Sequence, residues 1–291
     1  MSDVVKRHGN LLLDDVRRLG GTVSLLFRGA DADFPSNPRL QTSTYPGGFP
    51  LHGYSSDPGH YDIAMPDFTF VEYPEVRSHV VNTSWTSNSW PEVKARLKKV
   101  PHTKEGFMFR GKANWRGTRK MLEDLVNKGP PAYVRRRLKD FAPDGFDVLV
   151  HTYTPIHILP TAFISLYEQC EWAHTFHLSG THYSAMLKYK LACGQTVFLL
   201  GDVSEEEFWY DALKDGENVF FLRNNWFWED LHQALQPSEK PPLTARERAA
   251  CVAARARRLT DTYLSQHGID CYVMIYLTRY FLPWLRRVLE V

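Results

Sequence analysis

Between Thr175 and Asp202 the chain reads TFHLSGTHYSAMLKYKLACGQTVFLLGD, a succession that few folds accept. A polar loop around Ser179, Gly180 and Thr181 leads into a helix expected from Ser184 to Cys193. Gly194 is its stop, and Thr196 to Leu200 is the apolar strand that follows. Ser184 is the expected N-cap, and Met186, Leu187, Lys188, Tyr189, Lys190, Leu191 and Ala192 give the helix one buried side. Loop, helix, glycine and strand in this order belong to the α/β class. The start of such a helix presents unpaired backbone N–H groups and the positive end of the helix dipole, which suits a diphosphate. The same succession also occurs as plain scaffold, and the local pattern leaves both readings open.

At 291 residues the chain is long enough for two domains with a well-buried core. Its 35 Lys and Arg against 33 Asp and Glu leave a net charge of +2, so there is no general attraction to nucleic acid or to an anionic membrane. Cys170, Cys193, Cys251 and Cys271 lack the close-spaced pairs of a structural zinc site; free thiols and disulfides both stay open. The most apolar segment, Tyr272 to Leu285, is broken by Arg279 and Pro283, so no transmembrane helix is expected. The opening MSDVVKRHGN is not a signal peptide. That leaves a cytosolic protein, or one whose targeting portion lies upstream of this sequence.

From the start, an amphipathic helix is expected over Asn10 to Leu19 and a buried strand over Thr22 to Phe27. Asp31 and Asp33 follow in RGADADFPSNP, past the carboxyl end of that strand, where open α/β sheets place their ligands. A carboxylate there can act as a general base, although Asp before a Pro-rich turn is also ordinary turn chemistry. Phe68 and Phe70 read as a short strand, and Trp90 to Lys99 as a helix starting on Ser89 with Pro91 in its first turn. Pro101 to Lys104 makes a natural boundary, which divides the chain into 1–104, 105–243 and 244–291.

A second anion site is expected after the strand Phe107 to Phe109. Arg110, Gly111, Lys112, Arg116 and Arg119 populate a basic, glycine-bearing loop before a helix at Lys120 to Val126, and guanidinium groups there can grip phosphate oxygens through two bonds at once. A solvated basic loop is the alternative. Arg135, Arg136 and Arg137 sit on a short helix and read as a solvated face. Asp147 to His151 and Val219 to Leu222 are further strands, and Trp226 to Leu235 is a helix. In the acidic run after Asp202, Glu207 is a candidate for a ribose hydroxyl. Thr244 is expected to cap a long helix, and Asp270 a last one that Pro283 bends.

The order of FRG and a later Arg, then SLYEQCEWAHTFHLSGTHYSAMLKYKLACGQTVFL, EFWYDAL and IDCYVMIYLTRY, resembles the capsule-associated-protein (CAP10-like) glycosyltransferases, family 90, which include the Rumi-type protein O-glucosyltransferases. Upstream, DADFP and HYDIAMPDFTF resemble further blocks of that family. The resemblance implies a GT-B-like arrangement of two Rossmann-like domains facing a cleft, with the N-terminal, acceptor-side domain truncated in this chain. It gives 105–243 to the nucleotide sugar and lets the helices of 244–291 pack back across the domains. It also implies inverting transfer of glucose or xylose from a UDP-sugar to a protein or glycan hydroxyl, without a bound metal or other cofactor, in the lumen of the endoplasmic reticulum or Golgi.

Residue by residue, the resemblance makes Asp33 the catalytic base. Arg110, Gly111, Lys112, Arg116 and Arg119 fall on its donor-binding loop, and Gly180, Thr181, His182, Tyr183, Ser184 and Ala185 on its nucleotide-holding turn. Met186 stands where the family usually has an arginine; Arg116 and Lys188 are the cations nearby in sequence that could substitute. A catalytically silent member that binds a nucleotide sugar or glycan is the alternative that Met186 favours.

Overall fold

The computed structural model describes residues 52–53, 63–66, 68–70, 89–113, 117–151, 164–180, 183–201, 206–239 and 242–283. The chain divides into two compact units. One comprises Met1–Pro66, Ser204–Tyr210 and Thr262–Val291, and the other Asp67–Val203 and Asp211–Asp261. Contacts therefore divide the chain at other places than 104 and 243. The reason lies in helix α1, Trp90–Leu97, whose Trp90 packs edge-on against Tyr189 and Phe70 inside the larger unit.

The larger unit is built on a five-stranded parallel sheet of β1 (Lys104–Lys112), β2 (Phe146–His151), β3 (Trp172–His177), β4 (Thr196–Leu200) and β5 (Phe220–Leu222), in the order β2-β1-β3-β4-β5. It is the α/β class expected. The strand order reverses direction between β1 and β3, so the chain leaves those two neighbours toward opposite edges of the sheet.

Side chains alternate between the two faces of a strand. On one face Phe146, Phe107, Phe176, Phe198 and Phe220 form a row across all five strands, with neighbouring ring centres 5.0 to 6.1 Å apart. Helices α2 (Thr118–Lys128), α3 (Ala132–Phe141), α6 (Phe227–Ala234) and the start of α7 (Ala245–Thr262) cover that row. They do so with residues at helical spacing: Val134, Leu138 and Phe141 from α3, Phe227 and Leu231 from α6, Ala249 and Val252 from α7. The intervening Met108, Thr175, Val197 and Leu199 are buried as well, so the sheet is covered on both faces. Helices α1, α4 (Leu166–Cys170) and α5 (Leu187–Cys193), which give nothing to the first cluster, pack on one another. Cys170 and Cys193, the last residues of α4 and α5, form a disulfide, while Cys251 and Cys271 are free. Closing a loop of this length stabilises a fold by about 3 kcal/mol.

His174 lies on the phenylalanine face of β3, stacked on Phe141 at 4.3 Å. Burial, then the charges of His102 and Arg246, push its pKa down to about 3, against a weak opposing pull from the Phe141 carbonyl. Its folded pKa thus lies below the unfolded value of 6.5. The imidazole is neutral in the fold and takes a proton only on unfolding, so its contribution is whole above pH 6.5 and is lost as pH falls toward 3. His174→Leu is expected to flatten the acid limb of stability in that window, read as the pH midpoint of acid unfolding by circular dichroism.

In the smaller unit, His52–Gly53 pairs in parallel with Ile63–Ala64. Met65, Tyr276, Phe281 and Leu282 form a small core, and the Tyr272 hydroxyl donates to the Ala64 carbonyl at 2.6 Å. Helix α8 (Gln266–Tyr276) is capped by Ser265, whose Oγ accepts from the Gly268 N–H at 2.9 Å. Asp270, expected to be the cap, sits one turn inside and accepts from Gln266 instead. The helix continues as π turns over Leu277–Phe281 before it reaches Pro283. Phe68–Phe70, expected as a strand, is a single 3₁₀ turn. The expected helix at 10–19 and strand at 22–27 lie outside the described residues.

Candidate functional site

In doubly wound sheets, ligands settle outside the carboxyl ends of the strands where the strand order reverses. Here that is the end of β1, at Lys112, beside the end of β3 and the turn after it, at Ser179 and Gly180. Arg119, from the first turn of α2, lies between them. Its Nε donates to the Ser179 carbonyl at 3.1 Å and its Nη1 to the Lys112 carbonyl at 2.8 Å. One guanidinium thereby ties the two strand ends together.

Two glycines make room for it. A Cβ on Gly111 would stand 2.8 Å from the Phe109 ring and 3.3 Å from Arg119 Nη1. A Cβ on Gly180 would stand 3.6 Å from Arg119 Nη2 and 2.5 Å from the Tyr183 carbonyl. Any side chain at Gly180 would therefore collide with the backbone of its own turn. Phe109 supports the cation from the core side, with its ring centre 5.8 Å from the guanidinium carbon. Burial lowers the Arg119 pKa from its ordinary value. A guanidinium still carries its charge there.

Two further nitrogen bases stand behind this slot. Lys190, on α5, donates from Nζ to the Phe176 carbonyl at 2.5 Å and lies 5.3 Å from the centre of the same Phe109 ring. His177, the last residue of β3, is buried, and burial, then Lys190 and Arg119, hold its pKa well below the ordinary value. Lys190 was not among the residues expected here. The run LKYKL reads as part of a helix with one buried side, whereas all seven residues of this helix are buried.

The other expected residues divide. Gly111, Gly180 and Arg119 meet at the slot, and the Lys112 backbone completes it. Arg110 does not join them: neighbouring positions on a strand face opposite ways. Its guanidinium is instead hydrogen-bonded and ion-paired to Asp147 on β2. Tyr183, Ser184 and Ala185 form the approach to α5. Ser184 does not cap that helix; it begins at Leu187 with Met186 as the capping residue and no side-chain cap bond. Lys188 cannot stand in for a cation at Met186, because its ammonium is buried against Thr69 and the Phe70 ring. Glu207 lies in the smaller unit, where it accepts from the Trp209 indole at 3.2 Å. Asp33, Arg116, Thr181 and His182 lie outside the described residues. No group of three or more His, Cys, Asp or Glu able to hold a metal ion occurs among the described residues, and no helix among them is long and apolar enough to cross a membrane.

The family model "Glycosyl transferase family 90" matches residues 20–282, nearly the whole chain. The chain belongs to glycosyl transferase family 90. Within family 90 it is similar to the "O-glucosyltransferase rumi" of Drosophila pseudoobscura pseudoobscura, 25% identical over 227 residues, which are 77% of this chain and 52% of that protein. It is also similar to the "O-glucosyltransferase rumi homolog" of Aedes aegypti, 22% identical over 235 residues, 79% of this chain and 55% of that one. The chain thus spans about half the length of these curated relatives. Among solved structures, the C-terminal domain of a glycosyl transferase group 1 family protein (LpcC) from Francisella tularensis matches 60% of this chain and 92% of its own, at 14% identity and a TM-score of 0.36. That likeness is too slight to argue from.

Proposed function

We propose that this family 90 chain transfers a sugar, glucose or xylose, from a UDP-sugar to a hydroxyl group on a protein or glycan, with inversion at the anomeric carbon. The observation that carries the reading is Arg119, bonded to the carbonyls of Lys112 and Ser179 at the reversal of strand order. A diphosphate placed there meets a fixed, half-buried cation at the point where negative charge grows as UDP departs. Glucose is favoured by the relatives, whose names describe O-glucosyl transfer.

In this reading Asp33 takes the proton of the acceptor hydroxyl. The acceptor oxygen bonds to the anomeric carbon from the face opposite UDP, the bond from that carbon to the diphosphate oxygen breaks, and UDP leaves with the electron pair. In this reading no metal or other cofactor takes part, and the Arg119 guanidinium meets the leaving charge. The GT-B-like pairing of two domains expected from the sequence belongs to the same proposal. So does a location in the lumen of the secretory pathway, which the Cys170–Cys193 disulfide supports, since such bonds persist in oxidising compartments.

A panel of UDP-sugars, each scored by UDP release with and without acceptor, tests the activity. Asp33→Asn is expected to keep UDP affinity and to lose turnover by roughly a thousandfold, within the usual contribution of a general base. Unchanged turnover in that variant would remove Asp33 from the role. Met186 favours a second reading, a silent member that binds a nucleotide sugar without transferring it. That reading expects UDP binding with no release from any donor, and transfer restored by Met186→Arg.

A further inference from the structure

Lys190 stands beside the donor slot without a part in the donor reading. Its side chain is only 4% exposed, and its single hydrogen bond runs to a backbone carbonyl, that of Phe176. Among the described residues no carboxylate pairs with it. The ionisable groups acting around it are Arg119 from α2 and His177 from β3, both basic. Lys188, two residues earlier on the same helix, is turned to Thr69 and Phe70. A buried ammonium with the Arg119 cation nearby and no carboxylate among the described residues lacks a counter-charge there, and buried charges are ordinarily paired. Lys190 and Arg119 share the Phe109 ring at 5.3 and 5.8 Å from its centre, so an anion seated at the Arg119 slot lies within the field of both.

We propose that Lys190 is the proton-uptake group of the donor site: it takes up a proton as a nucleoside diphosphate settles against Arg119, and so couples donor binding to pH. The inference rests on the donor-site reading above. Burial, with Arg119 adding to it, brings the Lys190 pKa down to about 7, whereas His177 is held so low that it stays neutral throughout. The diphosphate opposes the first effect by supplying negative charge beside the amine. The amine is therefore about half charged in the empty site at neutral pH and charged when the site is full. Because the folded pKa lies below the ordinary 10.5, the fold gains stability as pH rises from about 7 toward 10.5. A group kept at that cost beside a ligand site is a common mark of function.

The test is calorimetric titration of the whole chain with UDP at pH 8, in buffers of different ionisation enthalpy. UDP is fully ionised there, so the nucleotide itself takes up no proton. Uptake of about 0.9 proton per UDP is expected at pH 8, with affinity falling by close to tenfold per unit between pH 7.5 and 9. Lys190→Met is expected to bind UDP with no uptake and a flat pH profile, and Lys190→Arg to restore affinity without the slope. Circular dichroism checks that each variant is folded. Wild-type binding of UDP without proton uptake would overturn the role of Lys190 and leave the donor site standing. Absence of UDP binding at every pH would overturn the donor site, and this inference with it.

Discussion

Arg119→Ala is expected to weaken UDP binding by about a hundredfold and to take sugar transfer below detection. Hydrogen bonds made by a charged group contribute about 1.5–3 kcal/mol each, and this guanidinium serves two purposes. It faces the place proposed for the diphosphate, and it holds the Lys112 and Ser179 carbonyls in register at 2.8 and 3.1 Å. Arg119→Lys separates the two. An ammonium keeps the charge but lacks the planar fork that reaches both carbonyls, so part of the affinity should return at low salt while the turn remains loosened. Titration calorimetry reads the first effect, and amide hydrogen exchange over residues 177–180 reads the second. An alanine variant that binds UDP as tightly as the wild type would show that this arginine is only a brace between two strands.

Phe107→Ala is expected to cost the larger unit about 4 kcal/mol, in the range for deleting a buried aromatic ring. Phe107 is wholly buried and meets Phe141, Phe146, His174, Phe176 and Phe198, with ring centres 5.0 to 5.9 Å away. No small movement of five rings on three strands and a helix can refill the space. The urea midpoint should fall steeply, and Phe107→Leu, which leaves most of the volume in place, should fall by less than half as much. The loss should also reach the site, because Phe107 and the Phe109 that supports Arg119 lie on the same face of β1. Equal midpoints for the alanine variant and the wild type would mean that the phenylalanine row does not hold the sheet together.

Much of this scaffold was legible in the residues. The strand expected at Thr196 to Leu200 is found with those bounds, and its glycine stop is found at Gly194, with φ 76°. Apolar runs bounded by Gly and Pro leave little else to fold into. The strand Trp172–His177 was not legible. His174, Thr175 and His177 break the apolar run, yet β3 is central and buried on both faces. Thr175 fits there because its hydroxyl donates to the Met108 carbonyl across the sheet at 3.0 Å, a partner that only the fold supplies. The same limit explains the short α5. Ser184 has the chemistry of an N-cap, but it is the Ser184 carbonyl that accepts, from the Leu187 N–H at 3.4 Å, and the helix starts three residues later.

The candidate site was legible in part, and for a physical reason. A basic glycine-bearing loop marks several cations alike, whereas strand alternation gives Arg110 to Asp147 and leaves Arg119 for the slot. Which cation faces a ligand depends on strand order, and strand order is a property of the sheet rather than of any one segment. Lys190 shows the converse. Nothing in LKYKL separates a lysine on the surface from one buried behind Arg119, since the difference lies in what packs on the helix.

The central claim is tested most directly by a crystal structure of the chain soaked with UDP. The account predicts diphosphate oxygens within about 3 Å of the Arg119 guanidinium and of the turn that begins at Ser179, with the Phe109 ring still behind it. A nucleotide bound elsewhere, out of reach of the Arg119 guanidinium, would contradict it.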